Sequence, residues 1–161
     1  MAVIPIRVLP DPVLRQKAKR VRGVDSSIQR LIDDLVETMR AAPGVGLAAP
    51  QVGVSLRVAV IELPEEEVIT LINPRVIKRS GERLVEEGCL SIPGYQGVVK
   101  RSVSVTVKGY NREGQEVRYK AEGLLAQALE HETDHLNGIL YIDHLESPGK
   151  LYKIGEGKVG L

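Results

Sequence analysis

Apolar positions along the chain change period three times, and each change predicts an element. Ile28, Leu31, Ile32, Leu35, Val36 and Met39 follow the three-and-four spacing of one helical face. Ser26 with Gln29 three residues on predicts a capping box at its start, and Pro43-Gly44 predicts its end. The stretch Gly44-Val45-Gly46-Leu47-Ala48-Ala49-Pro50-Gln51 is neither helical nor alternating and predicts a tight, small-residue loop. Residues 57–63 and 68–72 are β-branched runs that predict short strands. Over residues 102–108 the pattern alternates, with Val103, Val105 and Val107 on one face and Ser104 and Thr106 on the other. Asn111-Arg112-Glu113-Gly114 predicts a hairpin turn into a second arm at 116–121. Residues 123–137 predict a second helix, with Gly138 at the αL position that ends it. From 146 to 161 four glycines and no apolar period predict a short, poorly ordered or draped tail. Strands set apart from two long helices predict an α+β fold, and no repeat or composition break divides the 161 residues into more than one domain.

Composition narrows the partners. Hydrophobic residues are 43% and charged residues 27% of the chain, the balance of a soluble globular protein, and no apolar run approaches the ~20 residues of a membrane span. Twenty-two Lys and Arg against 21 Asp and Glu give a net charge of +1, which predicts no charge-driven nucleic-acid or membrane partner. With no Phe, no Trp and five Tyr, the core is aliphatic. The first residues lack the basic start and apolar block of a signal peptide, and one cysteine forms no internal disulfide; both predict a reducing, cytoplasmic setting.

The chemistry concentrates in His131-Glu132-Thr133-Asp134-His135. Two histidines at i and i+4 lie one helical turn apart on one face, so both rings can reach one metal ion. With Leu124 placed at about 0° on the helical wheel, Leu125, Ala128, Leu129 and Leu136 fall between about 40° and 140°, and Glu132 lies at about 80°, the middle of that apolar stripe. A carboxylate there is either half of a structural ion pair or an acid whose pKa is moved toward neutrality for general base and acid work. Glu130, at about 240°, is expected to face solvent. Two histidines leave a catalytic site one protein ligand short. His144, nine residues beyond His135, does not match the spacing of a third zinc-peptidase histidine and is expected to be an ordinary surface or core residue. Upstream, Cys89 in Glu87-Gly88-Cys89-Leu90-Ser91 offers a thiolate suited to a soft or borderline divalent ion. The same two-histidine helix would also serve a zinc endopeptidase with a downstream third ligand, or a metal-stabilised binding module with four closed ligands.

The three segments Gly44–Gln51, Glu87–Ser91 and His131–His135, in that order and at those intervals, resemble the signatures of the peptide deformylase family. Pro10-Asp11-Pro12-Val13-Leu14-Arg15 is similar to the family's opening, and the likeness runs from about residue 4 to 145. The resemblance implies antiparallel sheets surrounding a central helix that carries the two histidines. It implies a hydrolase that removes the N-formyl group from the formyl-methionine of peptides emerging from the ribosome, releasing formate. It further implies that Cys89, His131 and His135 hold one divalent metal ion per chain, Fe²⁺ physiologically with Zn²⁺, Ni²⁺ or Co²⁺ acceptable. Glu132 would be general base and then acid, and Gln51 with the Leu90 N–H would form the oxyanion hole. Val45, Gly46, Leu124 and Ala128 would contact the substrate, and the protein would act as a monomer. Glu87 and Asp134 are candidates to orient the histidines or, equally, solvated surface charges; Arg101 is a candidate to meet the substrate backbone or a Glu, with a strand-edge surface position the expected one. Gln127 stands where the family commonly has an apolar pocket residue, and Glu130 where it more often has Gln. The short tail does not imply direct docking on the ribosome.

Overall fold

A computed structural model describes residues 2–154. Two helices, α1 (Ser26–Ala41) and α2 (Gly123–Leu136), pack on opposite faces of a five-stranded antiparallel sheet. Its strands are β1 (Gly46–Ala48), β2 (Val58–Ile61), β3 (Ile69–Ser80), β6 (Ser104–Tyr110) and β7 (Glu116–Glu122), side by side in that order. A second, three-stranded antiparallel sheet is made of β4 (Arg83–Cys89), β5 (Ile92–Arg101) and β8 (Leu151–Lys153). The fold is α+β, with the sheets arranged about α2.

Strand β2 explains the layering. All four of its residues are buried, so the strand does not alternate between core and solvent but between two cores. Val58 and Val60 join Ile28, Leu31, Ile32 and Leu35 of α1, whereas Ala59 meets Leu136 and Ile61 meets Ala126, Ala128 and Leu129 of α2. Each layer is closed by aliphatic side chains, as a chain without Phe or Trp requires.

The start of α1 is capped by Asp25, not by Ser26: Asp25 Oδ1 accepts from Ile28 N at 3.0 Å. A carboxylate at this position satisfies an amide that the first helical turn leaves free. Gln29 is engaged elsewhere, donating to the Arg112 carbonyl and accepting from Arg112 Nε. The segment expected to be a loop contains β1, whose three buried residues pair with β2, followed by a 3₁₀ turn at Ala49–Val52. In β6, Val105 and Val107 point into the α2 core, but Val103 precedes the strand and is 42% exposed. The turn at Asn111 to Gly114 and the positive φ of Gly138 (74°) are as the sequence predicts. The tail departs most. Residues 151–153 form β8 and pair with Tyr95, Gln96 and Gly97 of β5, because a strand with an open edge supplies the backbone partners that the tail's own side chains do not announce. Residues 155–161 of that expected tail lie outside the described residues.

Candidate metal centre

Helix α2 is buried along most of its length, from Ala126 to Leu136. That is why its chemistry is sequestered, and also why a one-sided wheel misplaces Glu130. Glu130 is buried and accepts from Ser102 N at 2.8 Å, from Ser102 Oγ at 3.0 Å and from Arg79 Nε at 3.1 Å. The five-stranded sheet covers one flank of α2, and Ser102, in the link between β5 and β6, closes over Glu130.

Cys89 ends β4, where the pairing of β4 with β5 shifts register between Glu87 and Cys89. Such an irregularity re-aims side chains at the end of a strand. It delivers the thiol to α2: Cys89 Sγ lies 3.2 Å from His135 Nε2, which lies 3.1 Å from His131 Nε2. The three ligand atoms all fall within 4.8 Å of one another, and all three residues are buried. Two Nε2 atoms and a sulfur facing one another at a buried position fit a soft or borderline cation.

The ring orientations are set from behind. Glu87 accepts from His131 Nδ1, which fixes the tautomer and leaves Nε2 free toward the centre. Arg101 grips the same carboxylate with Nε (3.0 Å) and Nη2 and reaches Asp134 Oδ2 with Nη1 (2.8 Å). Far from being a surface residue, Arg101 is buried and bridges β4 to α2. His144 Nε2 meets Asp134 Oδ2 at 2.9 Å, so the third histidine closes the outer end of this network. Gln127 Nε2 donates to Glu87 Oε1 at 3.1 Å and to the Glu86 carbonyl at 3.3 Å, which ties it to the histidine-orienting acid. The Tyr141 ring stacks on His131 with centroids 6.5 Å apart. Burial opposes ionisation of Glu87, but His131 and Arg101 hold its carboxyl well below the usual range. Burial also opposes a charge on His131, yet Glu87 and Glu132 raise its pKa well above the ordinary value; burial and the adjacent His131 push His135 well below it.

Glu132 is 0% exposed, and neither carboxylate oxygen has a hydrogen-bond partner among the described residues. The structural ion pair allowed by its place on the wheel is absent among them. Burial pushes its pKa up to about 7, with His131 opposing and Glu87 reinforcing the rise. Gly46 of β1 lies against it, and a Cβ there would collide with Glu132 Oε2. Gln51, also 0% exposed, accepts from Ala48 N at 3.0 Å, donates from Nε2 to Ser91 Oγ at 3.0 Å, and holds that nitrogen 3.6 Å from Cys89 Sγ. Leu90 follows Cys89 at the β4–β5 turn and packs, half-buried, on the α1 core. Val45 packs beside Ala128, which is fully buried. Leu124 is 43% exposed at the first turn of α2, and Leu125 packs into the core with Val45. Sequence pattern alone does not mark Arg101 or Ser91 as site residues; the buried charge of Glu87 is the signal that requires a cation such as the first.

The fold and this centre are of the kind a metal-dependent hydrolase uses: a cysteine sulfur and two imidazoles that could hold a metal ion, beside a buried acid without a hydrogen-bond partner among the described residues. The comparisons agree. The family described as polypeptide deformylase matches residues 3–151. A peptide deformylase of Dehalococcoides mccartyi is 59% identical over 156 residues, covering 96% of this chain and 93% of that protein. The crystal structure of a peptide deformylase from Legionella pneumophila superposes with a TM-score of 0.88 at 49% identity, covering 92% of this chain and 88% of that one. That from Thermotoga maritima gives 0.87 at 40% identity, covering 90% and 99%. The chain belongs to the polypeptide deformylase family. It is a metal-dependent hydrolase that removes the N-formyl group from nascent polypeptides.

Proposed function

We propose that Cys89, His131 and His135 hold one divalent metal ion, and that Glu132, Gln51 and the Leu90 N–H carry out the hydrolysis around it. The convergence of three ligand atoms within 4.8 Å, beside an unpartnered buried acid, supports this assignment. When bound, the ion supplies a Lewis acid that makes a water nucleophilic near neutral pH. Glu132 takes the proton of the attacking water and returns it to the departing amine, a task suited to a group held at about 7. The Gln51 amide and the Leu90 N–H donate to the oxygen of the formyl group as it gains charge. Glu87, clamped by Arg101 and Gln127, keeps His131 in the ligating tautomer.

The substrate is the formyl-methionyl end of a peptide emerging from the ribosome. Gly46 lets its backbone approach Glu132, and Val45, Ala128 and Leu124 form an aliphatic wall for the unbranched thioether. The whole chain acts as one catalytic domain, as a monomer in the cytoplasm; among the described residues no helix is long and apolar enough to cross a membrane. Fe²⁺ is the native ion, with Zn²⁺, Ni²⁺ and Co²⁺ acceptable to the same donors.

Anaerobically purified protein assayed for formate release from formyl-Met-Ala-Ser, with metal analysis of the same sample, tests both parts. Formate release with one iron per chain is the expected result. Cleavage of internal peptide bonds with metal retained in Cys89→Ala overturns the assignment in favour of an endopeptidase.

A further inference from the structure

On the side of α2 away from Glu132 lies a cleft of about 570 Å³ that the deformylation chemistry does not use. Its walls carry Lys17, Arg20, Arg57, Arg75 and Arg79, and no carboxylate lines it. In a chain of net charge +1 this is a strong local separation of charge. Only Arg79 has a carboxylate partner, Glu130, among the described residues. Arg57 spends its donors on neutral acceptors: the Leu136 carbonyl (2.9 Å), Asn137 Oδ1 (3.0 Å) and the Pro74 carbonyl (3.2 Å). Its positive charge is therefore positioned but not compensated, and burial together with nearby Arg20 lowers its pKa.

Two further observations point to a ligand. Thr133 contributes to the lining, is 4% exposed, and its hydroxyl has no partner among the described residues. A buried hydroxyl left unpaired costs roughly 1–3 kcal/mol unless something else meets it. In the β3–β6 ladder, Arg75 stands directly opposite Lys108, whose Nζ is taken up by Glu116 at 2.9 Å, while Arg75 itself has no carboxylate partner among the described residues. Arg20, Asn73 and Arg75 continue into an adjoining depression of about 210 Å³ that includes Lys108. A single small oxyanion would fill a fraction of this space; a chain of phosphates matches the row of guanidiniums, which bind such oxygens two at a time.

We propose that this cleft is a binding site for an oligophosphate anion, held by Arg20, Arg57 and Arg75 with the Thr133 hydroxyl as a further hydrogen-bonding group. No aromatic side chain lines the main cleft, so the phosphate chain itself, whether inorganic or the tail of a nucleotide, is what the site recognises. The assignment is independent of the deformylation chemistry, and neither Arg20 nor Arg75 belongs to the metal centre.

The test is calorimetric titration of the metal-loaded enzyme with inorganic triphosphate at constant ionic strength, alongside thermal unfolding and formate release. One triphosphate should bind per chain and raise the unfolding temperature, since a ligand of the native state alone stabilises it. Arg20→Ala/Arg75→Ala should weaken binding at least about tenfold and abolish the thermal shift, while ligand-free formate release stays at the wild-type rate. Thr133→Val should weaken triphosphate binding without removing it. A nucleoside triphosphate should bind within about threefold of inorganic triphosphate, a difference of under about 1 kcal/mol. Equal binding by wild type and the double variant would place the anion on the active-site metal and overturn the proposal. Absence of saturable binding overturns it as well, and so does an RNA oligomer that binds about a hundredfold more tightly than triphosphate, which would assign the cleft to a nucleic-acid backbone.

Discussion

Glu87 accepts the Nδ1 proton of His131, so an acid on one sheet sets the tautomer of a histidine on the central helix. Two further side chains fix that acid: Arg101 from its own sheet and Gln127 from the helix. Glu87→Gln keeps the shape but removes the charge that both Arg101 and His131 require. We expect metal affinity to fall about 10–100-fold. Competition with a chelator of known affinity measures this, and unchanged affinity would show that Glu87 serves packing alone.

Glu132→Gln preserves volume and removes the proton carrier. It should retain metal and lose roughly 10²–10⁴-fold in kcat. Metal content and formate release, measured on one preparation, separate the two effects, and turnover comparable to wild type would remove Glu132 from the mechanism.

What the sequence discloses about this centre depends on how many faces of an element are buried. The i, i+4 histidines and the inward Glu132 are legible because both follow from helical geometry alone. Glu130 and Arg101 are not, since each looks solvated until side chains distant in sequence are brought against it. Ser102 and Arg79 then occupy Glu130, and Glu87 and Asp134 occupy Arg101. Strand β8 escapes for a related reason: its residues have no period, and its place is dictated by the open edge of β5. Asp25 displaces Ser26 as helix cap by a single residue, a choice between two good oxygen acceptors that neighbouring side chains decide.

Gln51 is buried with its amide between Ser91 and Cys89. Gln51→Ala removes a neutral donor that counts for most when the formyl oxygen becomes charged. The expected loss is ~10²–10³ in kcat with little change in KM. Steady-state kinetics on the formyl tripeptide decides; a loss confined to KM would make Gln51 a ground-state contact.

Acid should weaken one staple well away from the centre. Arg15 Nη1 and Nη2 meet Asp143 at 2.6 and 3.2 Å and join the first 3₁₀ turn to the segment after α2. Partial burial raises the Asp143 pKa, but Arg15 and the Leu140 N–H outweigh it and hold the carboxyl below its usual value. A lowered folded value stabilises the protein above the unfolded carboxylate pKa of about 3.9, and this contribution disappears as pH falls through the folded value. Both side chains are substantially exposed, so the contribution is under about 1 kcal/mol. Urea unfolding of wild type and Asp143→Asn should differ at pH 6 and converge only once pH has fallen well below the unfolded carboxylate value of about 3.9; a difference that persists in acid would assign the staple to hydrogen bonding rather than charge.

The pairing of β8 with β5 has a consequence for the order of assembly. The β4–β5 hairpin that presents Cys89 forms from the middle of the chain, but the second edge of β5 stays open until residues 151–153 arrive. During synthesis the sulfur must therefore wait, first for the helix bearing both imidazoles and then for the strand that seals its sheet. Synthesis through residue 153 precedes a sealed sheet beside the metal pocket, and until then the free edge of β5 invites pairing with other chains.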